Sequence, residues 1–339
     1  MEKGVMSIPT IAFFNNKGGV GKTSLVYHLA WMYAERGKRV VTVDLDPQSN
    51  LSSFFLSEDA LEALWENTSE ANTIYRCIRP LLKGTGDILK PHLQEVELEG
   101  VSVALLVGDL ALSQFEDDLA TVWPECADGR ERAFRVVSAF WRIIQLAIAD
   151  YAADLVLIDM GPNLGSINRS IMIATDYVVI PLASDLFSVQ GLRNLGPMLS
   201  TWRSQWQERQ QKHASADFRI PDGRMQPLGY ISMLHAERIS RPTLAYQKWL
   251  ARIPSVYQTE ILQKELVTDV TVENDPNRIG TLKHYRSLMP MAQEARKPIF
   301  FLKPADGIVG GHYYAVQDAY QDFKGLSEKI LSRITAETC

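Results

Sequence analysis

The sequence predicts an α/β protein built on a doubly wound, mostly parallel sheet with helices on both faces. Its first 45 residues alternate strand, helix and strand, a unit that requires a parallel pair of strands and a right-handed crossover. Further apolar runs of strand length recur along the chain, between stretches with helical periodicity. The chain has 339 residues, 46% of them hydrophobic, which is enough for one large domain or two ordinary ones.

The first unit consists of a strand at residues 11–14, a helix over residues 23–36 and a second strand at residues 39–45. The first strand is a short apolar run that ends in Asn-Asn and glycines, which is typical of a buried parallel strand. Apolar residues recur at helical spacing in the helix, and Gly37 follows it as a C-cap candidate.

Four more strands and two more helices are predicted downstream. The predicted strands are residues 101–107, 155–159, 177–181 and 228–234. The clearest helical periodicity covers residues 133–149, and a last amphipathic helix covers residues 317–334. We expect this last helix to pack on the sheet rather than on a membrane surface, because acidic residues interrupt its basic face.

The chain contains no repeat or low-complexity linker, so we expect a single domain over residues 1–339. Residues 57–99 are more polar and are interrupted by Pro and Gly, and we predict an insertion or loops there. Residues 212–226 have the same character and are predicted to form a loop. Residues 278–339 are predicted to form a C-terminal helical part that carries a basic patch.

Composition narrows the class of protein. The chain has 35 Lys+Arg against 40 Asp+Glu, a net charge of −5, which rules out a uniformly cationic protein but leaves room for a local basic patch. No window approaches the roughly 18 apolar residues of a membrane span, and the first residues lack the pattern of a signal peptide. Cys77, Cys126 and Cys339 are far apart and odd in number, which argues against a disulfide framework or a zinc site. We therefore expect a cytoplasmic protein.

The segment Asn16-Lys17-Gly18-Gly19-Val20-Gly21-Lys22-Thr23 lies between a predicted strand and a predicted helix. It matches G-x-x-x-x-G-K-[ST] except that Asn16 replaces the first glycine. The glycines allow successive N–H groups to turn toward one anion, Lys22 is placed to neutralise β- and γ-phosphates, and the Thr23 hydroxyl is a ligand for Mg²⁺. The predicted phosphate-binding residues are Gly18, Gly19, Val20, Gly21, Lys22, Thr23 and Ser24.

Two acidic motifs follow predicted strands. Asp44-Leu45-Asp46-Pro47-Gln48-Ser49-Asn50 lies at the carboxyl end of the second strand, where ligands bind in open α/β sheets. Its two carboxylates can diverge, one toward Mg²⁺ and one toward an attacking water, although an Asp-Pro turn alone would explain the motif equally well. Residues 155–159 end in Asp159, the pattern of the Mg²⁺-binding aspartate in P-loop NTPases and also of ordinary acidic strand ends.

The run Lys-Gly-Gly-Val-Gly-Lys-Thr at residues 17–23 resembles the deviant Walker A motif of the ParA/MinD group of P-loop ATPases, and D-x-D-P-Q-x-N at residues 44–50 resembles the second motif of its ParA branch. The resemblance is close over residues 10–55 and 154–194, loose over residues 227–302 and absent from much of residues 57–99. It implies an ATPase with ATP and Mg²⁺ as cofactors that forms a homodimer on ATP binding.

The resemblance also assigns roles to individual residues. Lys17 would reach across a nucleotide-sandwiched dimer to the partner's phosphates, and it joins Lys22 and Asp46 as a catalytic candidate, with Asp46 orienting the hydrolytic water. Thr23, Asp44 and Asp159 are the metal candidates, Asp44 acting through water. Residues 160–163 depart from the family pattern, so the rate of hydrolysis is the property that the resemblance predicts least well.

Basic residues are concentrated in residues 278–303, where a solvated helix face is an equally good interpretation. The candidates for contact with DNA phosphates are Lys283, Arg286, Arg296 and Lys297. ParA-like proteins use dispersed basic residues in this way, so the resemblance implies non-specific DNA binding, nucleoid association, a protein partner that stimulates hydrolysis, and partition or positioning of DNA or other cargo.

Two alternatives remain open at this stage. One is a nucleotide-switched regulator that recruits a protein or membrane partner without DNA. The other is a metabolic enzyme of the wider P-loop group, such as an ATP-dependent amidase or ligase, for which the sequence offers no accompanying catalytic constellation.

Overall fold

The computed structural model describes residues 8–67, 70–234, 244–266, 269–283, 285 and 287–338. Its strands are β1 (Thr10–Phe13), β2 (Val40–Asp44), β3 (Gln94–Leu98), β4 (Val101–Leu106), β5 (Leu155–Asp159), β6 (Tyr177–Ala183), β7 (Gln226–Met233) and β8 (Arg278–Leu282). Its α-helices are α1 (Lys22–Glu35), α2 (Asn50–Phe55), α3 (Glu58–Glu66), α4 (Ile74–Leu82), α5 (Phe115–Glu125), α6 (Glu131–Val137), α7 (Ala139–Tyr151), α8 (Ser166–Ile173), α9 (Leu186–Gln210), α10 (Leu244–Leu250), α11 (Ile253–Val256), α12 (Leu288–Ala295) and α13 (Gly311–Thr338).

The eight strands form one sheet in the order β3-β4-β2-β5-β1-β6-β7-β8. All neighbouring strands are parallel except β3 and β4, which are antiparallel. The predicted doubly wound, mostly parallel sheet is therefore confirmed. Because β2, β5 and β1 are adjacent, their carboxyl ends meet at one edge, and this is where the phosphate loop and both acidic motifs begin.

Helices cover both faces of the sheet, and β1 shows how its residues are divided between them. Ile11 and Phe13 belong to a core shared with α1 and α13, whereas Ala12 and Phe14 belong to a core shared with α4 to α9. All four side chains are fully buried. A strand buried on both faces has no polar positions, which explains the unbroken apolar run in the sequence.

The prediction of one continuous helix over residues 133–149 is wrong. α6 and α7 are separate helices with Ser138 between them. The Ser138 hydroxyl donates a hydrogen bond to the Phe134 carbonyl at 2.6 Å, and the φ and ψ angles of Ser138 are −88° and 3°. A serine hydroxyl that bonds the preceding turn competes with the helical hydrogen bonds and allows this break. The apolar face continues across it, so periodicity alone did not reveal two helices.

Residues 57–99 are more regular than the sequence suggested. They contain α3, α4 and β3, and β3 pairs with β4 at an edge of the sheet. The alternation Gln-Glu-Val-Glu-Leu in β3 is the strand signal that the sequence analysis missed. The prediction that these residues are an insertion relative to other proteins stays a prediction.

The C-terminal part is also not entirely helical, because residues 278–282 form β8, which pairs in parallel with β7. The helix predicted at residues 317–334 is longer, spanning all of α13. Phe323, Leu326 and Ile330 from its apolar face are buried in the core beside α1, so this helix packs on the sheet as expected. Among the residues that the structure describes, no helix is long and apolar enough to cross a membrane.

Candidate functional site

The loop between β1 and α1 has the backbone geometry of an anion-binding turn. Gly19 and Gly21 have positive φ angles of 73° and 87°, which residues with a Cβ adopt only under strain. Gly21 precedes Lys22, the first residue of α1, so the loop leads directly into the N–H groups that the first helical turn leaves free. Gly18 and Gly19 are exposed, whereas Val20 is buried. The loop can therefore bind a phosphate through backbone N–H groups and the positive end of the helix dipole.

Asn15 anchors this loop to the sheet. Its side-chain amide donates a hydrogen bond to the Pro181 carbonyl of β6 at 2.6 Å. Its side-chain oxygen accepts a hydrogen bond from the backbone N–H of Lys17 at 2.9 Å. In the sequence the Asn-Asn pair indicates only the end of a strand, and the pairing of Asn15 with a residue 166 positions later is not visible there.

Lys22 is buried at the base of the loop. Its ammonium donates a hydrogen bond to the Asn15 carbonyl at 3.2 Å. Burial lowers the pKa of Lys22, while the nearby carboxylates Asp159 and Asp46 act in the opposite direction and favour the charged form. A cation held here can neutralise the charge of phosphate groups that occupy the loop.

Thr23 and Asp159 form the part of the site that fits a divalent cation. The Thr23 hydroxyl donates a hydrogen bond to Asp159 Oδ2 at 2.7 Å. The other carboxylate oxygen, Oδ1, is buried and has no hydrogen-bond partner among the described residues. Burial, followed by the charge of Asp44, raises the pKa of Asp159 to about 8. A hydroxyl beside an unpaired buried carboxylate oxygen is a donor set suited to Mg²⁺.

Asp44 lies beside Asp159 because the two residues are in register on β2 and β5. It is fully buried, and its Oδ2 accepts hydrogen bonds from the Ser52 backbone N–H at 2.8 Å and from the Ser52 hydroxyl at 2.7 Å. Burial raises the pKa of Asp44 to about 7. Its oxygens are already engaged by the protein, so the structure favours an indirect contribution to a metal site over direct ligation.

Asp46 lies beyond the end of β2, and its backbone N–H donates a hydrogen bond to Asp44 Oδ1 at 3.3 Å. Asp46 Oδ1 accepts a hydrogen bond from the Gln48 backbone N–H at 3.0 Å. The backbone of Gly161 passes close to it, since a Cβ added at Gly161 would lie 3.3 Å from Asp46 Oδ1. The two carboxylates of the motif therefore have different hydrogen-bond partners, and Asp46 faces the loop that follows Asp159.

That loop, residues 160–165, is fixed by two residues that the sequence analysis missed. The side-chain amide of Asn168 in α8 donates hydrogen bonds to the carbonyls of Gly161 and Asn163, at 2.7 and 2.5 Å. The Glu116 carboxylate of α5 accepts hydrogen bonds from the first turn of α8. The polar partner at position 116 is 50 residues away from that turn, so no local pattern could have revealed it.

Lys17 is paired within its own chain. Its ammonium forms an ion pair with the Asp185 carboxylate and lies 5.7 Å from the centre of the Phe187 ring. Asp185 also caps α9 by accepting a hydrogen bond from the Ser188 backbone N–H at 2.8 Å. Although burial acts to raise it, hydrogen bonds from Lys17 and Ser188 hold the pKa of Asp185 below its usual value. Phe187 is 68% exposed, so the pair lies at a surface with an apolar neighbour.

A cavity of about 170 Å³ opens beside the phosphate loop. It is lined mainly by apolar side chains from the ends of β7 and β8 and from the C-terminal helices. Lining residues include Gly21, Ser24, Met233, Leu282, Tyr285 and Phe323. An apolar cavity next to an anion-binding loop can receive the uncharged part of a phosphorylated ligand.

Lys283, a candidate for DNA contact, lines this same cavity. Its ammonium also forms ion pairs with Asp318 at 3.2 Å and Asp322 at 3.7 Å. The hydrogen bond that Lys283 donates to Asp318 is the main reason that the pKa of Lys283 is raised. Its charge is therefore matched by two carboxylates of α13.

The other candidates for DNA contact differ in their surroundings. The Lys297 ammonium forms an ion pair with Asp306 at 2.9 Å. Arg296 is exposed at the end of α12, and no carboxylate among the described residues forms an ion pair with it. Arg286 lies outside the described residues. The basic run therefore does not form a patch of uncompensated charge in the part of the chain that the structure describes.

The phosphate loop and the acidic motifs, in contrast, converge at the carboxyl edge of β1, β5 and β2. A family model described as an AAA domain matches residues 8–212, more than half of the chain, and covers this whole site. The chain belongs to the ParA/MinD-type P-loop ATPases. This confirms the family that the motifs predicted, and the residues after 212 lie outside the matched part.

Curated relatives of this ParA-like chain include a chromosome partitioning protein. It is 30% identical to the sporulation initiation inhibitor protein Soj of Bacillus subtilis over 210 residues, which are 62% of this chain and 69% of Soj. It is 28% identical to protein IncC of Escherichia coli over 204 residues, or 60% of this chain and 48% of IncC. It is 29% identical to the chromosome partitioning protein ParA of Caulobacter vibrioides over 185 residues, 55% of this chain and 60% of that protein. The chain thus spans between about half and two thirds of these relatives' lengths.

Solved structures share the fold over most of the chain. A protein from Corynebacterium diphtheriae has a TM-score of 0.67 at 27% identity, covering 85% of this chain and 97% of that one. The pNOB8 ParA protein has a TM-score of 0.61 at 19% identity, covering 97% and 99%. The same protein bound to nonspecific DNA has a TM-score of 0.58 at 18% identity, covering 97% and 99%. The likeness to pNOB8 ParA, at 18% and 19% identity, establishes the fold alone.

Proposed function

We propose that this protein is a Mg²⁺-dependent ATPase that acts as a nucleotide-switched homodimer, binds DNA without sequence preference, and partitions or positions DNA or other cargo. The observation that carries the proposal is the Thr23–Asp159 pair at the base of the phosphate loop, with one buried carboxylate oxygen left unpaired. Family membership and the names of the relatives support the partition role.

ATP would bind with its phosphates in the loop of residues 17–23 and its nucleoside in the adjoining cavity. Backbone N–H groups and the Lys22 ammonium would contact the phosphates, and Ser24 lies where the loop meets the cavity wall. The apolar wall formed by Met233 and Leu282 suits a planar base. An ATP complex of the Cyanothece McdA protein, a structural neighbour at 15% identity, is consistent with this placement on the shared fold.

Thr23 and Asp159 would hold Mg²⁺, with Asp44 acting through water. The ion supplies positive charge that neutralises the β- and γ-phosphate oxygens. Asp46, beyond the end of β2, would accept a hydrogen bond from the attacking water and orient it. Lys22 would stabilise the charge that develops on the transferred group.

Lys17 would act on the phosphates of a second copy of the chain, as the deviant Walker A resemblance implies. The ammonium is about one third exposed and is held by a single carboxylate, so it is available for exchange. A phosphate group offers such a cation more charge and more acceptor oxygens than Asp185 does. ATP binding would thereby favour the dimer, and hydrolysis would release it.

The DNA-binding surface of the proposed dimer would use Arg296, with smaller contributions from Lys283, Lys297 and Arg286. Doubling a modest basic patch in a dimer raises its affinity for DNA phosphates steeply, which ties DNA binding to the ATP state. On the same family grounds we propose a cytoplasmic, nucleoid-associated protein with a partner that stimulates hydrolysis. The structure of pNOB8 ParA bound to nonspecific DNA supports the DNA-binding part of this proposal, because that protein has the same fold.

A second candidate function is a nucleotide-switched regulator that binds a protein partner without DNA. The ion pairs of Lys283 and Lys297 favour this candidate, because both reduce the charge available to phosphates. ATP binding and dimerisation would be the same in both cases.

The proposal is tested by measuring ATP turnover and retention on random-sequence duplex DNA, with and without ATP and Mg²⁺, at low salt. We expect slow turnover and ATP-dependent retention by the wild type, and loss of both in Lys22→Ala. Lys38→Ala, which changes an exposed lysine after α1, serves as the matched control. Micromolar ATP affinity in Lys22→Ala would contradict the phosphate-loop assignment. Turnover without DNA retention would favour the protein-partner candidate.

A further inference from the structure

The start of α8 is capped by a carboxylate from another helix. Glu116 in α5 accepts hydrogen bonds from the backbone N–H groups of Ser166 and Ile167, the latter at 2.9 Å. These groups belong to the first turn of α8, where N–H groups have no partner within the helix. The local N-cap residue is Gly165, which has no side chain to provide one. A carboxylate at this end is also stabilised by the helix dipole.

Gly165 leaves the space that this contact requires. Its φ and ψ angles of −80° and −172° are open to any residue, so its backbone does not demand glycine. A Cβ at this position, however, would lie 2.6 Å from Glu116 Oε1, closer than any relaxed contact. The glycine is therefore needed for the approach of Glu116 and not for the turn.

The capped helix in turn holds the loop that faces Asp46. Asn168, fully buried in α8, donates hydrogen bonds to the carbonyls of Gly161 and Asn163. Gly161 is the residue whose backbone runs beside the Asp46 carboxylate. A continuous series of contacts thus connects Glu116 to α8, α8 to the loop, and the loop to Asp46.

We propose that Glu116 is a positioning residue for ATP hydrolysis, which it serves by fixing α8 and thereby the loop beside Asp46. The inference rests on the proposed ATPase function. The hydrogen bonds of Glu116 go to α8 and not to the phosphate loop, so we assign its role to the chemical step and not to the binding of ATP. The Ile167 and Ile171 side chains keep α8 in the core independently of Glu116.

The test compares Glu116→Gln with Asp117→Asn, which makes the same change of charge at the next, exposed position of α5. Glutamine retains one acceptor oxygen for two N–H groups. We expect kcat for ATP to fall about tenfold in Glu116→Gln while KM stays within about twofold, and both to be unchanged in Asp117→Asn. Hydrogen exchange should accelerate at the amides of Ser166 and Ile167 in Glu116→Gln alone.

Gly165→Ala provides a second approach to the same contact. It displaces the Glu116 carboxylate without altering any charge, so its kcat should fall to a similar extent. The double variant Glu116→Gln/Gly165→Ala should be no slower than the slower single variant, because both changes remove one contact.

The outcomes separate this inference from the function on which it rests. Absence of ATP turnover in the wild type would overturn both. Normal turnover in the wild type with equal kcat in Glu116→Gln, or a rise in KM at constant kcat, would overturn the positioning role alone. Equal losses in Glu116→Gln and Asp117→Asn would likewise overturn it, since the effect would then come from charge and not from the cap.

Discussion

The Lys17 ammonium is paired with the Asp185 carboxylate at the start of α9, on the same chain. Both side chains are about one third exposed. Exposed pairs of this kind contribute on the order of 0.2–1 kcal/mol, so the pair can be exchanged for a stronger acceptor. If Lys17 acts on the phosphates of a second copy, Asp185 competes with those phosphates for it.

Asp185→Asn should therefore promote dimerisation with ATP. Asparagine keeps a side-chain oxygen that can cap α9 but removes the charge that holds Lys17. We expect the protein concentration at half-dimerisation to fall about two- to fivefold, as measured by sedimentation. Asp217→Asn, at an exposed position, is the control. An unchanged or weaker dimer in Asp185→Asn would show that the pair does not compete with assembly.

Asp46→Asn should separate ATP binding from hydrolysis. The amide cannot act as a proton acceptor for the water, so turnover should fall about 10²-fold or more while ATP affinity is retained. The ATP-bound dimer should persist long enough to be isolated by gel filtration. An ATP-loaded variant that stays monomeric would contradict the nucleotide-sandwiched dimer.

Asp159→Asn should stabilise the protein when it is assayed without Mg²⁺ and nucleotide. The pKa of Asp159 is about 8 in the fold, above its ordinary value of 3.8, so the folded state binds this proton more tightly than the unfolded chain. The contribution of Asp159 to the free energy of unfolding therefore falls as pH rises from 4 to 8, and asparagine avoids this loss. We expect a gain of several kcal/mol, up to about 5 kcal/mol, at pH 8 by urea unfolding. The two proteins should converge near pH 4, and a constant difference would contradict the assignment.

His28 should give the opposite pH dependence. Burial lowers its pKa to about 4, below the ordinary value of 6.5, because its ring is enclosed between Ser24 and the backbone N–H of Ile299. The unfolded chain then binds more protons between pH 4 and 6.5, so stability is lost as pH falls through this window. The loss should reach about 3 kcal/mol in the wild type and be absent in His28→Gln. If the free energy of unfolding, measured with urea, depended on pH in the same way in the wild type and in His28→Gln, this account would be contradicted.

Single substitutions should rank the basic residues in the proposed contact with DNA. Arg296→Ala removes an exposed cation without an ion pair among the described residues, so the slope of log affinity against log salt should fall by about 1. Lys297→Ala removes a cation that Asp306 already neutralises and should have a smaller effect. The slopes are measured by fluorescence anisotropy across a salt series. If Arg296→Ala and Lys297→Ala reduce the slope equally, the Lys297–Asp306 ion pair opens on DNA binding.

Much of the fold and the nucleotide site follows from local sequence patterns. The loop of residues 16–23 needs glycines at set positions, and buried parallel strands need unbroken apolar runs. A short local segment of the sequence is therefore enough to predict each feature. The same holds for Asp44 and Asp159, which end such strands and meet in register.

What escaped prediction depends on contacts between distant residues. Glu116 and Asp185 are ordinary acidic residues in the sequence, and their roles exist only once α5 meets α8 and α9 meets the phosphate loop. The charge of Lys283 and Lys297 was visible in the sequence, but the carboxylates that neutralise it are supplied by α13 and by the turn at Asp306. A count of charges along the chain therefore overestimated the basic patch.

The central position of β1 has a consequence for how the chain matures. β1 emerges during synthesis well before its two neighbours, β5 and β6, and Thr10 bonds a residue 166 positions later. The phosphate loop cannot take its final form until more than half of the chain has left the ribosome. During that interval β1 lacks both of the strands that pair with it, so its apolar residues are exposed to aggregation unless a chaperone protects them.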